Sequence, residues 1–101
     1  MKTVLKAKVQ AIKLTGCELE RTGGLTLGSD IMERLGVCEY AQVFVNAKHK
    51  DARIMTYLLR GKPGQCELNG GAIHLFKKGD IVHLLFFKQI DDDAQINPKI
   101  M

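Results

Sequence analysis

Apolar positions in this chain recur mainly with the two-residue period of a β-strand, and turn-forming residues cut that recurrence into short pieces. Val4, Val9, Ile12 and Leu14 stand among lysines and glutamines, which predicts a long strand or hairpin arm. Thr22-Gly23-Gly24 reads as a turn before the short strand-like Leu25-Thr26-Leu27. Residues 41–47 (AQVFVNA) alternate as a half-buried strand does, and residues 48–51 form a polar turn. Residues 53–60 (RIMTYLLR) predict the next strand, stopped by the strong turn signal Gly61-Lys62-Pro63-Gly64. Residues 66–68 are short and extended. Residues 81–88, entered through the turn Gly79-Asp80, are almost continuously apolar and predict a strand buried on both faces.

Only residues 31–35 (IMERL) read as helix, about two turns long. Ser29 or Asp30 is expected to accept hydrogen bonds from the free amides at its start, and Gly36 to close it in a left-handed conformation. Asn69-Gly70-Gly71-Ala72 calls for an unusual backbone with positive φ. Many short strands, Gly-rich turns and one small helix predict a mainly β domain built as a small barrel. It is expected to span residues 1–90, followed by a flexible acidic tail over residues 91–101 that carries Asp91, Asp92 and Asp93.

Composition narrows the function. The chain has 101 residues, enough for one domain, and 46% of them are hydrophobic, which argues against wholesale disorder. No apolar run approaches the ~18 residues of a membrane span, and the charged start MKTVLKAKV does not read as a signal peptide, so a cytoplasmic protein is expected. The net charge of +4 hides an uneven distribution, because residues 1–90 carry 14 Lys/Arg against 8 Asp/Glu. Nucleic-acid binding is not expected. The lysines are scattered, only six aromatic residues are present, and no recognition helix or RNA-binding signature is visible. Cys17, Cys38 and Cys66 show no CxxC or CxH spacing, so no metal site is expected and the thiols read as reduced, packed or surface residues. His74 and His83 lie in apolar surroundings and read as packed, and His49 reads as a loop residue.

Arg53-x-x-Thr56-Tyr57, Asn69-Gly70 and Gly79-Asp80-Ile81-Val82 follow one another at a spacing that resembles the aspartate 1-decarboxylase family, over roughly residues 1–90. The resemblance implies a six-stranded double-psi β-barrel, a homotetramer with active sites between neighbouring subunits, and a pyruvoyl cofactor made by cleaving a Gly-Ser bond of the chain itself. It implies roles for individual residues. Lys8 helps hold the substrate carboxylate, and Arg53 forks onto it with two parallel donors. Thr56 polarises the carbonyl before the scissile bond. Tyr57 supplies a proton after carbon dioxide leaves. Asn69, with Gly70 beside it, orients the processed cofactor.

At the cleavage position this chain reads Gly23-Gly24, so Gly24 stands where the family has serine. Gln10 stands where a histidine is common, and Arg21 where a tyrosine is usual. Glycine offers no oxygen to attack the preceding carbonyl and no carbons from which to make a ketone, and the ketone is the electron sink of the family's chemistry. Neither Lys8 nor Tyr57 is an electrophile that could replace it. Gly28-Ser29 is the only Gly-Ser pair in the chain, but matching it to the cleavage site needs a five-residue insertion, and Ser29 reads better as a helix cap. Thr22 and Thr26 flank the glycines without lying at the junction, and Cys17 is seven residues upstream.

The sequence thus favours a decarboxylase-like protein that stays uncleaved and forms no pyruvoyl. It is expected to bind a small carboxylate or amino acid at a subunit interface, or to run a pyruvoyl-free reaction there. An active decarboxylase making β-alanine from aspartate, and a barrel that serves only as an assembly surface, remain the two alternatives.

Overall fold

The computed structural model describes residues 1–18 and 23–101, except the side chain of Ile73. Among the described residues seven strands and one helix follow in the order β1 (Lys2–Lys13), β2 (Gly24–Gly28), α1 (Ser29–Leu35), β3 (Gln42–Ala47), β4 (Arg53–Gly61), β5 (Cys66–Asn69), β6 (Ile81–Ile90) and β7 (Lys99–Ile100). A 3-10 turn, Gly70–His74, follows β5. The mainly β class with one short helix is the one the sequence predicts.

The strands form one sheet in the order β5-β2-β4-β3-β6-β1-β7. β2 with β4 and β1 with β7 are parallel, and the remaining ladders are antiparallel. The ladder is open and does not close into the six-stranded barrel that the resemblance implies. A single bridge nevertheless brings the chain leaving β1 back to the far edge. Gly16 bridges Glu67 on β5, the Thr15 N–H donates to the Cys66 carbonyl at 2.7 Å, and the Leu68 N–H donates to the Gly16 carbonyl at 3.1 Å.

Alternation decides which side of each strand meets the core. Val43 and Val45 on β3, Leu58 on β4, and Val82, Leu84 and Phe86 on β6 are all 2% exposed or less. They pack with Leu25, Leu27, Leu68 and Val9 in one hydrophobic cluster. β6 is therefore not buried on both faces as its apolar run suggested: Ile81, His83 and Leu85 are half-buried and Phe87 is 42% exposed. Its apolar outer residues face Phe44 of β3, whose ring meets that of Phe87 edge-on at 5.4 Å between centroids.

The helix is too short to stand on intrinsic propensity and is held by packing. Met32 and Leu35, three apart on one face, are buried. Gly36 closes it with φ 68°, as expected. The start differs from expectation. β2 runs into α1 without a loop, Gly28 takes the cap position while still paired with Gly61, and neither Ser29 nor Asp30 makes a side-chain cap bond. Ser29 is already inside the helix, so its hydroxyl does not meet the free amides of the first turn. His74 also departs from expectation: it ends the 3-10 turn with its side chain exposed.

The last residues of the acidic segment pair with β1. Lys99 and Ile100 lie beside Ala7 and Lys8, and Met101 exchanges backbone bonds of 2.9 Å with Lys8 and Gln10. At the other end of β1 the Lys50 ammonium holds Asp80 at 2.8 Å, tying the loop before β4 to the turn before β6.

Two outcomes follow for the fold. Leu58→Ala should lower stability by about 2–5 kcal/mol in urea unfolding, since Leu58 is fully buried at the centre of the cluster. Asp80 titrates below the ordinary aspartate value because of hydrogen bonds from Lys50 and the Lys77 amide. Its contribution to stability is thus present above the unfolded aspartate pKa and is lost as pH falls through the lowered folded one. Lys50→Met should move the Asp80 titration up toward the ordinary value, read by carboxyl-carbon NMR; an unmoved titration would show that Lys50 is not the cause.

Candidate functional site

Gly24 opens β2 between two strands, paired with Asn69 of β5 on one side and lying against Tyr57 of β4 on the other. Its φ is +107°, a region side-chain-bearing residues rarely enter. A Cβ added there would sit 3.0 Å from Tyr57 Cε2, 3.1 Å from the Tyr57 carbonyl oxygen and 3.3 Å from Cζ. A Cβ on the neighbouring Gly23 would meet nothing within 4 Å. The junction thus takes a side chain freely before the bond and only with strain after it.

Asn69 is 2% exposed, and its Oδ1 accepts from the Glu18 N–H at 3.2 Å. Gly70, at φ 72°, donates its N–H to the Glu18 carbonyl at 2.9 Å. Asn69 and Gly70 therefore hold Glu18, while the β2–β5 ladder holds Gly24 to the same Asn69. The two ends of the segment that carries Gly23-Gly24 are fixed by one dipeptide. Arg21 and Thr22, singled out in the sequence, lie outside the described residues.

Tyr57 is half-buried on the outer face of β4, opposite Gln42. Its ring stands 6.5 Å from that of Tyr40, at 35°. Tyr40 was not anticipated. It is 70% exposed and takes φ 70°, with its N–H donating to the Leu58 carbonyl at 2.7 Å. A left-handed tyrosine has no turn signature of its own, and the aromatic in a polar loop was the only available sign. Thr56, next to Tyr57, faces the other way, half-buried on the core side opposite Val43.

Arg53 and Lys8 share the outer face with Tyr57 but stand apart from it. Arg53 is four residues from Tyr57 along β4, about 13 Å at a strand's rise. Lys8 pairs with Leu85 of β6, and Leu85 with Phe44 of β3, so three strand spacings, about 14 Å, separate β1 from β4. One chain therefore presents two groups. Gly24, Tyr57 and Asn69 meet at one end of the face, and Arg53 stands at the other.

At that second end Arg53, Asn46, Ala47, Lys50, Asp51, Ala52 and His83 line a cavity of about 560 Å³. A smaller one of about 250 Å³ continues from Arg53 over Phe44, Leu85 and Phe87. Lys50 is engaged by Asp80 and lies 5.6 Å from the Phe76 ring centre, whereas Arg53 has no carboxylate partner among the described residues. Asn46 Oδ1 is buried without a hydrogen-bond partner. A buried acceptor left unpaired costs roughly 1–3 kcal/mol.

Other nucleophile candidates are placed against the role. Ser29 lies beyond the far end of β2 from Gly24, where Gly28 pairs with Gly61 rather than Asn69. Burial raises the Cys17 thiol, and burial pushes Cys66 up to about 12, so both stay protonated near neutral pH. Cys38 is exposed. Among the described residues no group of three or more His, Cys, Asp or Glu side chains could hold a metal.

Gly24→Ser should destabilise the fold by about 1–3 kcal/mol in chemical unfolding, through backbone strain and contact with Tyr57, while Gly23→Ser should shift it by less than ~0.5 kcal/mol. Equal effects at the two positions would contradict this asymmetry.

The family model described as aspartate decarboxylase matches residues 1–101. The aspartate 1-decarboxylase of Persephonella marina is 32% identical over 101 residues, covering 98% of this chain and 72% of that one. The enzyme of the same name from Pyrobaculum islandicum is 35% identical over 94 residues, covering 93% and 78%. That of Laribacter hongkongensis is 29% identical over 97 residues, covering 94% and 76%. A match along the whole chain, joined to relatives that share a third of its residues, means that this chain belongs to the aspartate decarboxylase family.

Proposed function

We propose that this family member keeps its backbone intact and binds a small carboxylate or amino acid, rather than maturing into a pyruvoyl enzyme. The observation that carries this reading is Gly24. Making the cofactor needs a serine oxygen that attacks the preceding carbonyl and side-chain carbons that become the ketone. Gly24 supplies neither, and its positive φ beside the Tyr57 ring puts any side chain there under strain. The residues present do not fit a pyruvoyl group.

What remains is a recognition surface. Arg53 offers a guanidinium with no carboxylate partner among the described residues, and two parallel donors match the two oxygens of a carboxylate. Tyr57 and Lys8 lie on the same face but too far away to share a small ligand with Arg53. The pocket in this reading is completed by a neighbouring copy, which sets one chain's Arg53 end against another's Tyr57 end. The exposed Met55 and Phe87 between those ends, 58% and 42% exposed, supply apolar surface for such a contact.

Intact mass of the denatured protein tests the first half. A single species near 11.2 kDa is expected. Two fragments meeting near Gly23, or carbon dioxide release from aspartate that a carbonyl-trapping reagent blocks, would restore the active decarboxylase. The second half predicts that Arg53→Gln weakens carboxylate binding about 10- to 100-fold, the loss of a charge-assisted pair, in calorimetric titration. Unchanged affinity would remove Arg53 from the site.

A further inference from the structure

Arg53 shares its end of the face with a histidine. The β3–β4 register sets Arg53 directly opposite Asn46, and the β3–β6 register sets Asn46 directly opposite His83. Paired residues project to the same side, so the row runs across three strands, with about 10 Å between the backbones of Arg53 and His83. Both side chains line the cavity of about 560 Å³.

The chemistry of that histidine is fixed by β1. Val9 pairs with Leu84 and Ile12 with Val82, so Gln10 and Ala11 both fall opposite His83 and the strand bulges there. Inside the bulge Ala11 takes φ 59°, a region that residues with side chains seldom enter. The Ala11 N–H is thereby aimed at His83 Nδ1, which accepts it at 3.1 Å. An imidazole nitrogen that accepts carries no proton, so this imidazole is neutral and its proton sits on Nε2. His83 is half-buried, and Nε2 has no hydrogen-bond partner among the described residues. Among those residues Asn46 Oδ1 is the one buried side-chain polar atom left unpaired, so Nε2 is not sealed from solvent. His83 thus brings one fixed, uncharged donor to the cavity.

The charged groups beside it narrow what that donor can receive. Lys50 lines the same cavity but is engaged by Asp80, and Asp51 adds a negative charge to the lining. A second carboxylate on a ligand would meet Asp51 with only a neutral donor to receive it, whereas an uncharged oxygen meets the donor without that repulsion. Building on the reading of Arg53 as the carboxylate anchor, we infer that His83 is a ligand-binding residue whose Nε2–H takes an uncharged acceptor oxygen, so that the site selects oxo acids, carboxylates that carry a ketone further along the chain.

Probe pairs that differ in one ketone oxygen test this in the full chain by calorimetric titration: levulinate against pentanoate, and the next longer methyl ketone against hexanoate. At least one oxo acid is expected to bind about 3- to 10-fold more tightly than its parent, the worth of one neutral hydrogen bond. It should also bind more tightly than glutarate. His83→Leu should abolish the advantage and leave the parent's affinity unchanged. His83→Gln, which keeps a donor and an acceptor, should retain most of it. Nitrogen NMR of the unmodified protein reads the same contact without disturbing the bulge. His83 should show a protonated Nε2 and a bare Nδ1, and the oxo acid should shift the Nε2 resonance where its parent does not. Arg53→Gln should weaken every probe alike.

Parents that bind as tightly as both oxo acids would place the ligand tail over Phe44 and Phe87 and overturn the assignment. So would tighter binding of glutarate, an advantage that survives His83→Leu, or a proton found on Nδ1. In each of these cases a loss on Arg53→Gln would still leave the carboxylate anchor standing. If no probe binds the unmodified protein, the anchor itself falls, and this inference with it.

Discussion

Gly24 is held between two strands and beneath a ring, and the site is arranged around that contact. β2 takes β4 on one side and β5 on the other. At its first residue this means Tyr57 pressed against the backbone and Asn69 in register across the ladder. With no side chain, residue 24 can enter the left-handed region and let the ring lie close; a Cβ would strain the backbone and press on Tyr57 at the point where Leu25 and Leu58 begin the core. The packing of β2 against β4 thus rests on those absent atoms.

Asn69 illustrates how one residue serves two purposes without conflict. Its amide oxygen holds the Glu18 backbone and its own backbone pairs with Gly24, so it is satisfied inside the fold. Arg53 at the other end of the face is placed differently. It is exposed and has no carboxylate partner among the described residues. Open hydrogen-bonding capacity therefore lies at Arg53 rather than at Asn69.

The sequence disclosed the strands well because alternation and Gly-rich turns are local signals. The strands over 41–47 and 53–60 and the left-handed Gly36 were legible at nearly their observed bounds. It misled where a tertiary fact intervened. The unbroken apolar run of β6 reads as doubly buried, yet only Val82, Leu84 and Phe86 face the core, while Ile81, Leu85 and Phe87 point outward and are half-buried or exposed. Ser29 reads as a cap, but β2 enters the helix without a loop and carries it past the cap position. Of the site, Gly24, Tyr57 and Asn69 could be named from motif order. Asn46, His83 and Tyr40 could not, since a cross-strand row depends on register and a left-handed tyrosine on tertiary hydrogen bonds.

The contrast between Gly23 and Gly24 carries a consequence for how this protein can change. Two adjacent glycines look interchangeable in sequence, yet one stands in open space and the other supports a ring and a strand. A hydroxyl at position 24 is expected to cost this fold stability, because residue 24 sits at a φ that side-chain-bearing residues rarely enter and a Cβ would press on Tyr57. A route toward a serine at the junction of this chain thus runs through a less stable fold, while a change at Gly23 meets open space.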